Sequence, residues 1–198
     1  MSLKTNYRFI APIYDAFIER ATRGARQRSL SLLPQQGAAR VLVSGAGTGL
    51  DFPFLPPCHD YTALDFTAAM LARAKGRARG LRMAWVRGDS MALPFVNEEF
   101  DYVVLHLIVA VVPEPQRCLA EAARVLKPGG RILLFDKFLR RGQRAWLRRS
   151  LSPLIGRMAT RLDVVFEDVL ETVPGLHVIS DQHALVRGWF RLIELQKE

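Results

Sequence analysis

Short apolar runs recur along the chain, several of them closed by Gly, Asp or Ser, with amphipathic stretches between them. The runs near 40–44, 60–64, 82–87, 101–106 and 131–136 read as strands, the first of them β-branched and apolar enough to be buried on both faces. Helices connect them, including an amphipathic stretch over 68–79. A helical extension over about 6–31 precedes the first strand. After the fifth strand come a basic helical stretch at about 140–158 and a helix near 161–172. Two last strands, near 176–181 and 185–195, are joined by a turn around Asp181–His183. This alternation predicts an α/β fold: a seven-stranded, mostly parallel sheet with helices on both faces and a C-terminal antiparallel hairpin. With 49% apolar residues and no internal repeat or low-complexity linker, residues 1–198 read as a single domain.

The first strand carries the most specific signal. Val41-Leu42-Val43-Ser44 runs into Gly45-Ala46-Gly47-Thr48-Gly49, with three glycines at alternating positions. Glycines there let the backbone turn sharply and approach a ligand without Cβ interference. Strand C-termini are where open α/β sheets build nucleotide sites. A dinucleotide fingerprint would place the third glycine at position 50, which is Leu50, and no G-K-[S/T] triplet completes a phosphate loop. Asp65 closes the second strand, where a carboxylate can accept hydrogen bonds from both hydroxyls of a ribose. Thr67 is the better N-cap for the following helix, which leaves Asp65 for a ligand. Pro53, Pro56 and Pro57 limit the helix after the glycine turn to barely a turn.

The spacing Gly45-x-Gly47-x-Gly49 resembles motif I of the class I S-adenosylmethionine-dependent methyltransferases. Other segments resemble the same family in the same order: Leu64-Asp65-Phe66-Thr67-Ala68-Ala69-Met70-Leu71, Gly88-Asp89-Ser90-Met91, Leu93-Pro94-Phe95 leading into Phe100-Asp101-Tyr102-Val103, and Arg124-Val125-Leu126-Lys127-Pro128-Gly129-Gly130. The resemblance implies a Rossmann-like fold and S-adenosyl-L-methionine as cofactor. The implied cofactor set is Ser44, Gly45, Ala46, Gly47, Asp65, Phe66, Met70, Asp89, Ser90, Met91 and His106, with Asp89 near the adenine amino group. Ser44 departs from the pattern, since many relatives carry Asp or Glu there; serine keeps a hydrogen bond but brings no charge, and Asp51 is a candidate substitute.

Composition changes the picture only at the edges. The net charge of +9 suggests an anionic partner, lipid or nucleic acid, or else an ordinary arginine-rich surface. With no nucleic-acid motif visible, nucleic acid has electrostatic support alone, and a non-catalytic cofactor- or nucleic-acid-binding domain is the alternative of another class. Cys58 and Cys118 form no C-x-x-C, so neither a metal nor a disulfide is expected. No apolar run reaches the roughly 20 residues of a spanning helix, and the N-terminus does not read as a signal peptide. A cytoplasmic protein is expected, with peripheral membrane association at the inner face as an extension of that reading.

Acceptor chemistry is less legible. Methyl transfer from a sulfonium is an in-line displacement, so positioning and desolvation dominate and no catalytic triad is expected. His106, at the ligand edge of the fourth strand, is the candidate proton acceptor. His177 and His183 read as structural or solvent-facing, and His59, in a proline-rich loop, as exposed. Tyr7-Arg8-Phe9-Ile10-Ala11-Pro12-Ile13-Tyr14-Asp15 resembles the opening of bacterial phosphatidylethanolamine N-methyltransferases and quinone C-methyltransferases. That resemblance makes residues 1–32 a helical lid and Tyr7 and Tyr14 substrate-side residues, with Tyr14 a second catalytic candidate. Residues 137–173 read as a helical insertion over the acceptor site. Arg141, Arg144 and Arg148 form a basic stripe beside Leu147, Leu151, Leu154 and Met158, which suits an anionic membrane surface. The expected acceptor is a small amphipathic molecule, best a phospholipid amine, with a quinone or other small molecule as the alternative.

Overall fold

The computed structural model describes residues 20–139, 141, 164–185 and 188–198. Within them, helix α1 (residues 20–30) leads into strand β1 (Arg40–Ser44), a single 3-10 turn (Phe52–Phe54) and β2 (Asp60–Asp65). Helix α2 (Ala68–Ala74) follows, then β3 (Arg82–Arg87), β4 (Phe100–His106), α3 (Pro115–Val125), β5 (Leu126–Lys137), α4 (Phe166–Leu170), β6 (Leu176–Leu185) and β7 (Phe190–Lys197).

The seven strands form one sheet in the order β3-β2-β1-β4-β5-β7-β6. Strands β1 to β5 pair in parallel, and β7 runs antiparallel to both β5 and β6. Strand order reverses between β1 and β4, and ligands of open α/β sheets bind at such a crevice, outside the carboxyl ends of the strands. Because β1 is central, its side chains are buried on both faces. Val41 and Val43 join Leu30, Leu33, Tyr61, Leu71 and Val104 beneath α1 and α2. Leu42 joins Val103, Leu105, Ile132, Leu119 and Phe166 beneath α3 and α4. The two cores account for the uninterrupted apolar strands.

Several boundaries differ from the sequence expectation. The helix begun at residue 68 ends at Ala74 and continues only as a 3-10 turn, Lys75–Arg77, before Gly80 at φ +79°. Thr67 occupies the N-cap position, but its side chain makes no capping bond. The hairpin turn is not at Asp181–His183. There β6 continues, with Asp181 paired to Ile193, because the Asp181 carboxylate turns onto the buried Arg191 at 2.6 Å rather than marking a loop. In the helix expected near 161–172, the described part is the short α4. Helix α1 is seen from residue 20, and the basic stretch at 140–158 lies outside the described residues apart from Arg141.

Candidate active site

The glycine turn is built around the end of β2. The N–H groups of Gly45 and Ala46 both donate to Leu64 O at 2.9 Å. The N–H of Gly47 donates to Asp65 Oδ2 at 2.8 Å, and that of Thr67 to Asp65 Oδ1 at 2.9 Å. Asp65 therefore spends one lone pair per oxygen on the protein and keeps the rest, since an ionised carboxylate offers about four acceptor sites. Gly45, Gly47 and Gly49 all lie at positive φ, at 76°, 54° and 79°. A Cβ on Gly47 would meet nothing nearer than Gly45 O at 4.0 Å, so the turn leaves open space there. One on Gly45 would lie 2.8 Å from Ile108 Cγ1, and one on Gly49 the same distance from the Phe52 ring.

Beside this turn stand the other residues expected to touch a cofactor. Phe66 is 70% exposed, an uncovered ring next to Asp65. Asp89 Oδ1 accepts the Met91 N–H at 2.9 Å, which sets the turn after β3. Ser44 and Ser90 are buried and hydrogen-bonded to each other at 2.9 Å, so the Ser44 hydroxyl reaches across to the β3 turn. Ala46 is buried too, and Met70 and Met91 are half-buried. The open space over Gly47, the remaining lone pairs of Asp65 and the bare face of Phe66 fit a ribose and an adenine. Among the described residues no His/Cys/Asp/Glu group suits a metal ion.

His106 is held on every side. Its Nδ1–H donates to Asp51 Oδ1 at 2.6 Å, and Nε2 is 2.9 Å from Ser29 Oγ on α1. Arg26 Nη1 donates to the same Asp51 oxygen at 2.7 Å, and Arg26 Nε to Thr22 Oγ1 at 3.0 Å. All five residues are buried. Burial alone would raise the Asp51 carboxyl; the charges and hydrogen bonds of His106 and Arg26 outweigh it and hold it well below the usual carboxylate range. Sequence reading singled out His106 and Asp51 but neither Arg26 nor Ser29. Thr22, Arg26 and Ser29 fall at i, i+4 and i+7, one face of a helix, and that stripe was the available signal.

Asp136, at the end of β5, was also missed. It is fully buried, with Oδ2 accepting the Ala110 N–H at 3.0 Å and Oδ1 its neighbour Lys137 N–H at 2.8 Å. Burial pushes its carboxyl up to about 6 despite these donors. His59 corrects an expectation: it is fully buried. Its Nδ1 accepts the Ala39 N–H at 3.1 Å and its Nε2–H donates to Pro34 O at 2.8 Å, fastening the loop before β1 to the start of β2. Arg141 reaches Asp168 and Glu171 at 2.7 Å, so its charge is met within the chain. Tyr7 and Tyr14 lie outside the described residues.

A methyltransferase domain family matches residues 42–134. The phosphatidylethanolamine N-methyltransferase of Cereibacter sphaeroides is 31% identical over 190 residues, covering 93% of each chain. The chain belongs to the class I S-adenosylmethionine-dependent methyltransferases. As a methyltransferase it uses S-adenosylmethionine as cofactor. The ubiquinone/menaquinone biosynthesis C-methyltransferase UbiE of a Ruegeria species is 37% identical over 142 residues, 68% of this methyltransferase and 56% of that protein. This methyltransferase thus spans little more than half of that quinone-enzyme relative. In fold it is similar to a SAM-dependent methyltransferase of Thermotoga maritima (TM-score 0.70, 19% identity, 97% of this chain and 98% of that one). It is also similar to the [4+2]-cyclase SpnF (0.67, 20%, 90% and 80%), so fold alone does not assign the reaction.

Proposed function

We propose that this methyltransferase acts on a phospholipid amine of the phosphatidylethanolamine type. The observation that carries the reading is the end-to-end match to the phosphatidylethanolamine enzyme, 93% of both chains, where the quinone-enzyme match covers 56% of its relative. A quinone or similar small acceptor is the second reading, favoured by the higher identity of that shorter match.

In this reading residues 1–198 act as one domain, with residues 1–32 as a lid carrying Tyr7 and Tyr14, and 137–173 covering the acceptor. S-adenosylmethionine, when bound, supplies an electrophilic methyl on a sulfonium. Asp65 would accept from the ribose hydroxyls, Phe66 would face the adenine, and Asp89 with Ser90 and Met91 would close the adenine side. Ser44, Gly45, Ala46, Gly47, Met70 and His106 line the remainder. An ammonium acceptor must lose its proton before attack, and a site that excludes water lowers that cost. Tyr14 is the candidate proton acceptor; His106, also a candidate on sequence grounds, has both ring nitrogens engaged by Asp51 and Ser29. The protein works in the cytoplasm, peripherally at an anionic membrane. Of the basic stripe, Arg141 pairs with Asp168 and Glu171, and Arg144 and Arg148 lie outside the described residues.

The test is turnover with labelled cofactor on phosphatidylethanolamine vesicles and on a demethylated quinone, with products identified by mass spectrometry. N-methylated lipid is expected; methylated quinone alone would overturn the assignment. Sedimentation with anionic vesicles at low salt tests the membrane component, and replacing Arg144, Arg148 and Arg149 is expected to abolish it.

A further inference from the structure

The geometry points to His106 as a positioning residue that shapes the glycine turn through Asp51, with α1 holding the pair in place. This rests on the glycine turn being the cofactor cradle. Asp51 lies two residues beyond Gly49, and its main-chain O accepts the Phe54 N–H at 3.0 Å, so it ends the turn. From the other side, His106 runs straight into Leu107 and Ile108. Leu107 sits at φ +58°, a left-handed conformation that a leucine adopts only when its surroundings impose it, and its N–H donates to Phe135 O at 2.7 Å. Ile108 then packs on Gly45 so closely that no Cβ fits between them. One imidazole therefore sits between both ends of the turn: Asp51 after its last glycine, Ile108 against its first.

An ionised Asp51 only accepts hydrogen bonds, so His106 carries its proton on Nδ1. That bond is charge-assisted and removed from water, the setting in which such a bond is strongest. The two nitrogens have separate tasks. Nδ1 organises the turn; Nε2 meets Ser29 and anchors α1. Arg26 supplies the second charge that keeps Asp51 in place, from one helical turn before Ser29 on the same face of α1.

Asparagine and glutamine separate these tasks. The amide nitrogen of asparagine falls near Nδ1 of the replaced ring, and that of glutamine near Nε2. In the full-length protein, S-adenosylhomocysteine affinity by calorimetry is expected to fall at least about tenfold further for H106Q than for H106N. Ser29→Ala, which removes the same Nε2 contact as H106N, is expected to rank with H106N. Melting temperatures recorded alongside separate positioning from general damage, because a structural role alone would order affinities as it orders stabilities. Equal affinities for H106N and H106Q would overturn the proposal. So would a collapse of kcat in H106N at preserved cofactor affinity, which would put the ring in acceptor chemistry. Should neither variant melt cooperatively, hydrogen exchange on the wild-type protein decides. Amides of 45–51, 106–108 and 26–29 are expected to gain protection together with S-adenosylhomocysteine, and protection confined to 45–51 would overturn it. Asp65→Ala is measured in parallel: a wild-type affinity there would refute the cradle itself rather than the role of His106.

Discussion

The Asp65 carboxylate accepts the main-chain N–H of Gly47 at 2.8 Å, so the acid at the end of β2 and the glycine turn at the end of β1 are one structural unit. Removing the acid both deletes the proposed ribose acceptor and frees the turn. Asp65→Ala is expected to weaken S-adenosylhomocysteine binding by at least about tenfold, or about 1.4 kcal/mol, by calorimetry. Asp65→Asn keeps one acceptor oxygen and should fall between the two. Wild-type affinity in Asp65→Ala would remove this residue from the site.

Gly45 combines two constraints, φ +76° and the contact with Ile108. Gly45→Ala should destabilise the protein by about 2 kcal/mol or more and abolish detectable cofactor binding. Shortening Ile108 to alanine in the same chain removes the Cγ1 and Cδ1 contacts, but not the Ile108 Cβ at 2.9 Å or the left-handed strain. Partial recovery of the melting temperature is therefore expected from the double variant. Full recovery would show that the Ile108 side chain beyond Cβ accounts for the whole cost, and none would assign the cost to the backbone and the remaining Cβ contact.

His59 acts far from this chemistry. Loss of its two buried hydrogen bonds leaves the Ala39 N–H without a side-chain partner and Pro34 O with only the long contact from Cys58 Sγ at 3.9 Å. A denaturant titration of His59→Ala should show a loss of about 1–3 kcal/mol, and the cofactor affinity of the folded fraction should match wild type. A stability within a few tenths of wild type would contradict the buried bonds.

What the sequence revealed and what it hid follow one physical distinction. The glycine turn, Asp65 and the one-turn helix after β1 were legible because backbone geometry demands special residues at fixed local spacing, and prolines and glycines supply it. The Arg26–Asp51–His106–Ser29 network joins residues 25, 55 and 77 positions apart, and nothing local announces such partners. His59 was misjudged for the same reason: a proline-rich neighbourhood suggests a surface loop, while the ring is buried by its bonds to Ala39 and Pro34. Asp181 suggested a turn because aspartate is common there, yet its carboxylate was committed to Arg191 within a continuing strand. The succession of strands along the chain was legible; the polar pairs that fasten the sheet to α1 were not.

Asp136 gives the protein a pH signature of definite sign. Its carboxyl stands at about 6 in the folded chain against an ordinary 3.8. Between those values the folded state holds the proton more tightly than the unfolded one, so this group's contribution is greatest at low pH and is lost as pH rises through 6. Asp51, held below its ordinary value, works in the opposite direction: its contribution is present above the unfolded value and is lost only as pH falls below it. The two windows are separate. Asp136→Asn has no titration there, so the stability difference between wild type and this variant isolates the group. From pH 4.5 to 7.5 the wild type should lose about 2 kcal/mol relative to Asp136→Asn, whatever the offset from the one N–H that asparagine leaves unpaired. Urea titrations of both proteins at those two pH values measure it; a constant difference would mean that Asp136 is ionised throughout, and a difference that grows with pH would reverse the sign.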